Sequence, residues 1–309
     1  MTTRMIGTAL GLALAAGAAT AQDYPSGTVE MIVPFSAGGG TDGVARQFAP
    51  PFAEALGANV VIRNVDGASG TIGTATAAQA DPDGYTVGYI PIGPLAIQPV
   101  LRPLDYDVES FDYICQTTDN PVLVMVSSGS DVQSLADLQE RGSVVYGSSG
   151  PGTIPHLALA AVTDALGIEG THVPYDGTGP AMNALAGGEI QVFGDTPGVV
   201  RANDVRPLAI LAPERHPDYP EVPTAAEEGF ENLDFSVWQG LVVPAGTDPA
   251  IRDQLSQACQ AAMESEAFTS AMETAATGLT YRNAEEFEAF VRRNTETNRN
   301  ILRDAGLIE

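Results

Sequence analysis

Lysine is absent from this 309-residue sequence, and all fourteen basic residues are arginine. That absence excludes every mechanism built on a lysine amine, including Schiff-base chemistry and the phosphate-binding lysine of a P-loop. Positive charge of any kind is scarce, since 39 acidic residues leave a formal charge of −25 at neutral pH. A surface of that sign repels nucleic acid and anionic lipid, so neither is expected as a partner. The acids are scattered along the chain, a pattern that serves solubility. Cysteine is scarce too: Cys115 and Cys259 lie outside any C-x-x-C or paired metal-ligand spacing, and the sequence leaves open whether they form a disulfide. The three histidines, His156, His172 and His216, are too separated to indicate a triad or a metal cluster. His156 is expected near a helix start, the other two on the surface or in loops. There is no G-x-S-x-G elbow, because Gly147-Ser148-Ser149-Gly150-Pro151 ends in proline where the last glycine belongs. No carboxylate pair stands out for glycosidase-type chemistry. These gaps point away from an enzyme: no catalytic residue, no metal and no cofactor is expected.

What is present begins with an export signature. Thr2, Thr3 and Arg4 precede an apolar run, Met5 to Ala19, and Ala19-Thr20-Ala21 reads as an A-x-A cleavage site. The run is shorter than the roughly 20 residues needed to span a bilayer, and polar Gln22-Asp23 follows at once. Residues 1–21 are therefore expected to be a signal peptide, cleaved after Ala21. A single arginine before the run indicates the general export route and a periplasmic mature chain. No later run is long and apolar enough for membrane insertion. The remainder exceeds the roughly 100 to 200 residues of one domain and predicts two lobes.

Each half alternates strands with helices. Glu30 to Pro34 (with Val29) is a predicted strand, followed by the turn Ser36 to Gly40 and a helix from Thr41-Asp42 to Gly57. Asn59 to Arg63, Thr71 to Ala80 and Tyr85 to Ile90 continue the pattern as strand, helix and strand. In the other half, strand Val122 to Val126, helix Leu135 to Arg141 and strand Val144 to Gly147 lead into Ser148 to Thr153. A helix from Ile154 to Leu166, strand Thr171 to Pro174, helix Ala181 to Gly187 and strands Ile190 to Phe193 and Leu208 to Leu211 follow. Alternation of this kind predicts α/β lobes, each a central sheet flanked by helices. The tail reads as strand Phe235 to Val243 and helices Ile251 to Ala267 and Glu285 to Ala305. Pro121 to Val126 and Phe235 to Val243 are expected to cross between lobes. That division puts residues 22–123 and 236–309 in one lobe and 124–235 in the other.

The chemistry gathers at two Gly/Ser-rich loops, each beyond a strand and at a helix N-terminus. Gly38 to Gly43 satisfies G-x-G-x-x-G, which keeps open a secreted dinucleotide-binding oxidoreductase. The recurrence of a similar loop at Gly147 to Thr153 favours a different reading. Two helix N-termini facing each other across a cleft can hold a carboxylate with unpaired N–H groups, without lysine or arginine.

The segment Val33-Pro34-Phe35-Ser36-Ala37-Gly38-Gly39-Gly40-Thr41-Asp42 resembles the opening signature of the tripartite tricarboxylate transporter substrate-binding proteins, the Bug family. Asp83-Gly84-Tyr85-Thr86, the loop Gly147 to Thr153 with His156-Leu157-Ala158, Val173-Pro174-Tyr175-Asp176-Gly177, Arg206-Pro207-Leu208-Ala209, Pro220-Glu221-Val222-Pro223-Thr224 and Trp238-Gln239-Gly240-Leu241 follow the family pattern in order. The resemblance implies a two-lobed periplasmic-binding-protein-like (type II) scaffold with two hinge crossings, acting as a monomer. It implies capture of a small organic carboxylate and delivery to a large and a small integral-membrane transporter subunit; a solute sensor for a membrane receptor is an alternative. It places Phe35, Ser36, Ala37, Gly38, Gly39, Thr41 and Asp42 on one wall of the site. Ser148, Ser149, Gly152 and Thr153 lie opposite, and Tyr175, Gly177, Asp195 and Thr196 meet the rest of the ligand. Asp176 stands where members often carry lysine, and Asp66-Gly67-Ala68 replaces a commoner Pro-Gly-Ala.

Overall fold

The computed structural model describes residues 24–304 and 308; the expected signal segment, its cleavage point and the expected helix end at Ala305 lie outside them. In chain order, the first elements are β1 (Val29–Val33), α1 (Gly40–Leu56), β2 (Val60–Asn64), α2 (Thr71–Ala78), β3 (Thr86–Pro91), α3 (Gln98–Leu101) and β4 (Phe111–Ser127). Next come α4 (Leu135–Arg141), β5 (Ser143–Ser148), α5 (Ile154–Leu166), β6 (Glu169–Pro174), α6 (Thr178–Gly187), β7 (Phe193–Asp195), α7 (Pro197–Ala202) and β8 (Val205–Leu211). The chain finishes with β9 (Ser236–Pro244), α8 (Pro249–Glu264), α9 (Glu266–Thr274), β10 (Leu279–Arg282) and α10 (Ala284–Asp304).

Local signals set most of these boundaries. α1 ends at Gly57, whose left-handed backbone (φ 72°) lets its N–H reach the carbonyls of Ala53 and Glu54. α4 starts in a capping box, with Ser134 Oγ accepting from Asp137 N–H and the Asp137 carboxylate accepting from Ser134 N–H. α1 runs to Gly57 as expected, with Pro50 and Pro51 inside it; Pro50 and the two residues whose carbonyls lose their donors, Arg46 and Gln47, are exposed, so those carbonyls are open to solvent. One feature departs from expectation. The helix expected from Ile251 to Ala267 is two helices, because Ser265 caps a new one, accepting from Phe268 N–H at 3.2 Å.

Parallel pairing of β1 with β2 and with β3 bears out the first α/β half, and antiparallel β9 and β4 extend that sheet to the order β10-β4-β9-β3-β1-β2. β1 is buried at four of five positions because helices cover both faces. On one side α1 buries Phe48 and Phe52 among Tyr89, Phe268, Cys115 and Cys259. Cys115 and Cys259 form a disulfide there, tying β4 to α8 across 144 residues of chain. On the other, α10 buries Phe287 and Val291 against Trp238, whose ring meets Phe287 edge-on at 5.7 Å.

β4 is the structural surprise. Where a strand over Val122 to Val126 is expected, one strand of 17 residues runs from the first sheet into the second. Its first part pairs with β9 as far as Pro121↔Ser236, and its last part pairs with β7 and β8 on either side. β5 and β6 pair in parallel and reach this second sheet through the bridge Tyr146↔Val192. The two crossings are neighbours, with Val122 N–H donating to Phe235 O at 2.9 Å.

Candidate functional site

The loop after β1 is organised by a carboxylate. Asp42, only 1% exposed, accepts on Oδ2 from Gly38 N–H and Arg46 Nε, both at 2.8 Å, and on Oδ1 from Asn64 Nδ2 at 2.9 Å. Burial alone would raise its pKa, but these donors outweigh burial and hold the carboxyl below the usual range. The Asn64 amide also donates to Phe35 O at 2.9 Å. Asp42 was expected on the wall of the site; its carboxylate instead turns back into the loop and braces it. Freed of that task, the N–H groups of Gly40 and Thr41 precede the first helical bond, Gly43 N–H to Gly39 O at 2.9 Å.

The opposing loop is braced by histidine. Ser148 is fully buried; its Oγ accepts from Gly150 N–H at 3.1 Å and lies 2.7 Å from His172 Nε2. His172 stacks on His156 with centroids 4.0 Å apart, and His156 Nδ1 accepts from Gly152 N–H at 3.0 Å. Burial first, and the neighbouring His156 second, push His172 down to about 4; burial lowers His156 as well. His172 was expected on the surface or in a loop; it lies in β6, half-buried, with its ring packed between Tyr146 of β5 and His156 of α5. His156 does sit in the first turn of α5, as expected.

Between the loops lies a cavity of about 40 Å³, lined by Phe35, Gly39, Gly40 and Thr41 on one side and by Ser149, Thr153, Ile154, Thr178, Asp195 and Thr196 on the other. Pro91, Ile92, Val237 and Gln239 form its floor, where β3 and β9 pair. The N-termini of α1 and α5 both border it, and no arginine or histidine does. Asp195 is buried; its Oδ2 accepts from Thr178 Oγ1 at 2.7 Å and its Oδ1 from Thr196 N–H at 2.8 Å, while burial raises its pKa. Of the other expected residues, Ser36, Ala37 and Gly38 face an outer groove of about 910 Å³ that adjoins the cavity through Gly39, Gly40, Thr178 and Thr196. Gly152 and Tyr175 lie on the opposite side, beside Gln98 and Arg102, with Asp176. Gly177 packs against Ser36: a Cβ on it would stand 2.6 Å from Ser36 Oγ, and its φ of 132° suits glycine. Ser148 does not reach the cavity. Thr178 and the floor residues were not anticipated, since only the packing of α6 and the pairing of β3 with β9 bring them here.

The two halves touch. Gln98, 2% exposed on α3, donates from Nε2 to Pro151 O in the α5 loop at 2.6 Å. Among the described residues no helix is long and apolar enough to cross a membrane.

Comparison with known proteins agrees in fold and extent. The family described as tripartite tricarboxylate transporter family receptor matches residues 44–307. Protein BugT of Bordetella pertussis is 34% identical over 288 residues, 89% of this chain and 88% of that protein. The solved periplasmic binding protein BugD superposes with a TM-score of 0.87 at 29% identity, over 92% of this chain and 99% of that one. MatC from Rhodopseudomonas palustris, solved with bound malate, gives a TM-score of 0.84 at 27% identity, over 90% and 100% of the two chains.

Proposed function

The chain belongs to the tripartite tricarboxylate transporter receptor family, a family of solute-binding receptors and not of enzymes, and on that premise we propose that it captures a small organic carboxylate between its lobes. The lobes in this reading are residues 22–123 with 236–309, and residues 124–235. The observation that carries the proposal is the convergence of two helix N-termini, α1 and α5, on one cavity that no cation lines. Helices of 17 and 13 residues are long enough to present unpaired N–H groups and a partial positive charge there. Local dipoles of this kind hold an anion within a molecule of strongly negative charge, where a long-range field would repel it. Thr41, Ser149 and Thr196 add hydroxyl groups, while Thr153 and Thr178 already donate theirs to Gly150 O and Asp195. The malate in MatC supports the ligand class.

Delivery to a large and a small membrane subunit is the second part of the proposal, supported by the family description. A signal peptide cleaved after Ala21 would put the mature chain in the periplasm, where the Cys115–Cys259 disulfide is stable. Thermal-shift screening of the mature protein against mono-, di- and tricarboxylates tests the first part. At least one acid should raise the melting temperature with concentration, because a ligand selective for the folded state stabilises it by mass action. A screen in which neutral solutes stabilise and no carboxylate does overturns it.

A further inference from the structure

The cavity floor carries a polar group that the folded chain does not use. Gln239 is 4% exposed, yet its Oε1 is buried and has no hydrogen-bond partner among the described residues. Its backbone is spoken for: its carbonyl accepts from Thr117 Oγ1 at 3.2 Å, and its strand pairs with Pro91 on one side and Thr118 on the other. Strand alternation puts Trp238 on the face packed against α10, and Val237 and Gln239 on the face that lines the cavity. Its floor neighbours Pro91, Ile92 and Val237 offer no side-chain donor or acceptor. A buried amide oxygen without a partner is costly, and on a cavity floor it is a group kept for something that enters the cavity.

We propose that Gln239 is a specificity-determining ligand contact, and that the solute is a small carboxylate bearing a hydroxyl group, whose carboxylate meets the α1 and α5 N-termini while its hydroxyl meets the Gln239 amide. The inference rests on the carboxylate reading above and narrows it. An amide is both donor and acceptor, and a hydroxyl is the complementary group that uses both. A second ionised carboxylate on the floor would be buried with no cation beside it and with Asp195 on the same cavity wall. An ammonium would use only the amide oxygen and leave the NH₂ group facing like polarity.

Calorimetric titration of matched acids tests this: lactate against propionate, 3-hydroxybutyrate against butyrate, malate against succinate, and alanine against lactate. Each is measured on the wild-type chain and on Gln239→Leu, which keeps the side-chain bulk and removes the amide. Within at least one pair the wild type should bind the hydroxy acid about tenfold or more tightly than its deoxy partner. Gln239→Leu should abolish that preference while leaving the deoxy acid within about threefold. Carboxylate binding without hydroxyl preference, a preference that survives Gln239→Leu, or tighter binding of alanine than of lactate overturns the Gln239 assignment and leaves the carboxylate reading standing. Failure of every acid overturns both. If Gln239→Leu does not fold, Gln239→Met, which also removes the amide, takes its place in the same comparison.

Discussion

Replacing Gln98 by leucine isolates the contact between the two halves of the molecule. Gln98 Nε2 donates to Pro151 O at 2.6 Å, from a buried position on α3 to the loop that opens α5. Leucine keeps the bulk that packs against Gly152 and removes only the donor. With the two halves in contact, as here, Pro151 O then loses its partner, whereas with the halves apart water supplies one. The penalty therefore falls on closure alone, and a net loss of about 1 kcal/mol lowers the closed-to-open ratio about fivefold. Small-angle scattering of the ligand-free Gln98→Leu chain should give a larger radius of gyration than the wild type. The apparent Kd for any carboxylate that the wild type binds should rise by up to about fivefold, because only the closed fraction is competent. The unfolding midpoint without ligand should hardly move. An unchanged scattering profile together with unchanged affinity would refute the idea that this hydrogen bond helps set the closing equilibrium.

Asp42→Ala should lower the unfolding free energy by about 2 kcal/mol, read by urea denaturation, and weaken carboxylate binding more than tenfold, since Gly38 N–H, Arg46 and Asn64 lose their common acceptor. Stability should fall as pH drops from His172's ordinary 6.5 toward about 4, because burial lowers its pKa in the folded chain and the unfolded chain takes up the proton first. His172→Phe should flatten that part of the urea-stability profile against pH; an unchanged profile removes His172 as its source. Replacing both Cys115 and Cys259 by alanine should reduce stability by about 2 to 5 kcal/mol, the upper figure being the chain-entropy value for a bridge spanning 144 residues. Ligand affinity in that variant should hold, because the bridge lies in the core with Phe48 and Phe268, away from the cavity.

The sequence by itself determined what depends on neighbours in the chain. Strand-to-helix alternation, the glycine that ends α1, the serine that starts α4 and the two loops at helix N-termini follow from backbone preferences and short-range hydrogen bonds. The polar run Gln116-Thr117-Thr118 hid the first half of β4, because its burial depends on partners far away, Thr117 Oγ1 lying 2.5 Å from Tyr89 OH inside the sheet. Which way a loop side chain turns was likewise decided only by tertiary structure. Asp42 and Ser148 look like ligand contacts in the sequence, and the fold turns both inward to brace their loops. The stacked His156–His172 pair, the Cys115–Cys259 bridge and the unpartnered amide oxygen of Gln239 each need elements brought together from distant parts of the chain. Local sequence fixes where a backbone N–H is left free; only packing decides which side chains are used up holding it in place and which are left for a ligand.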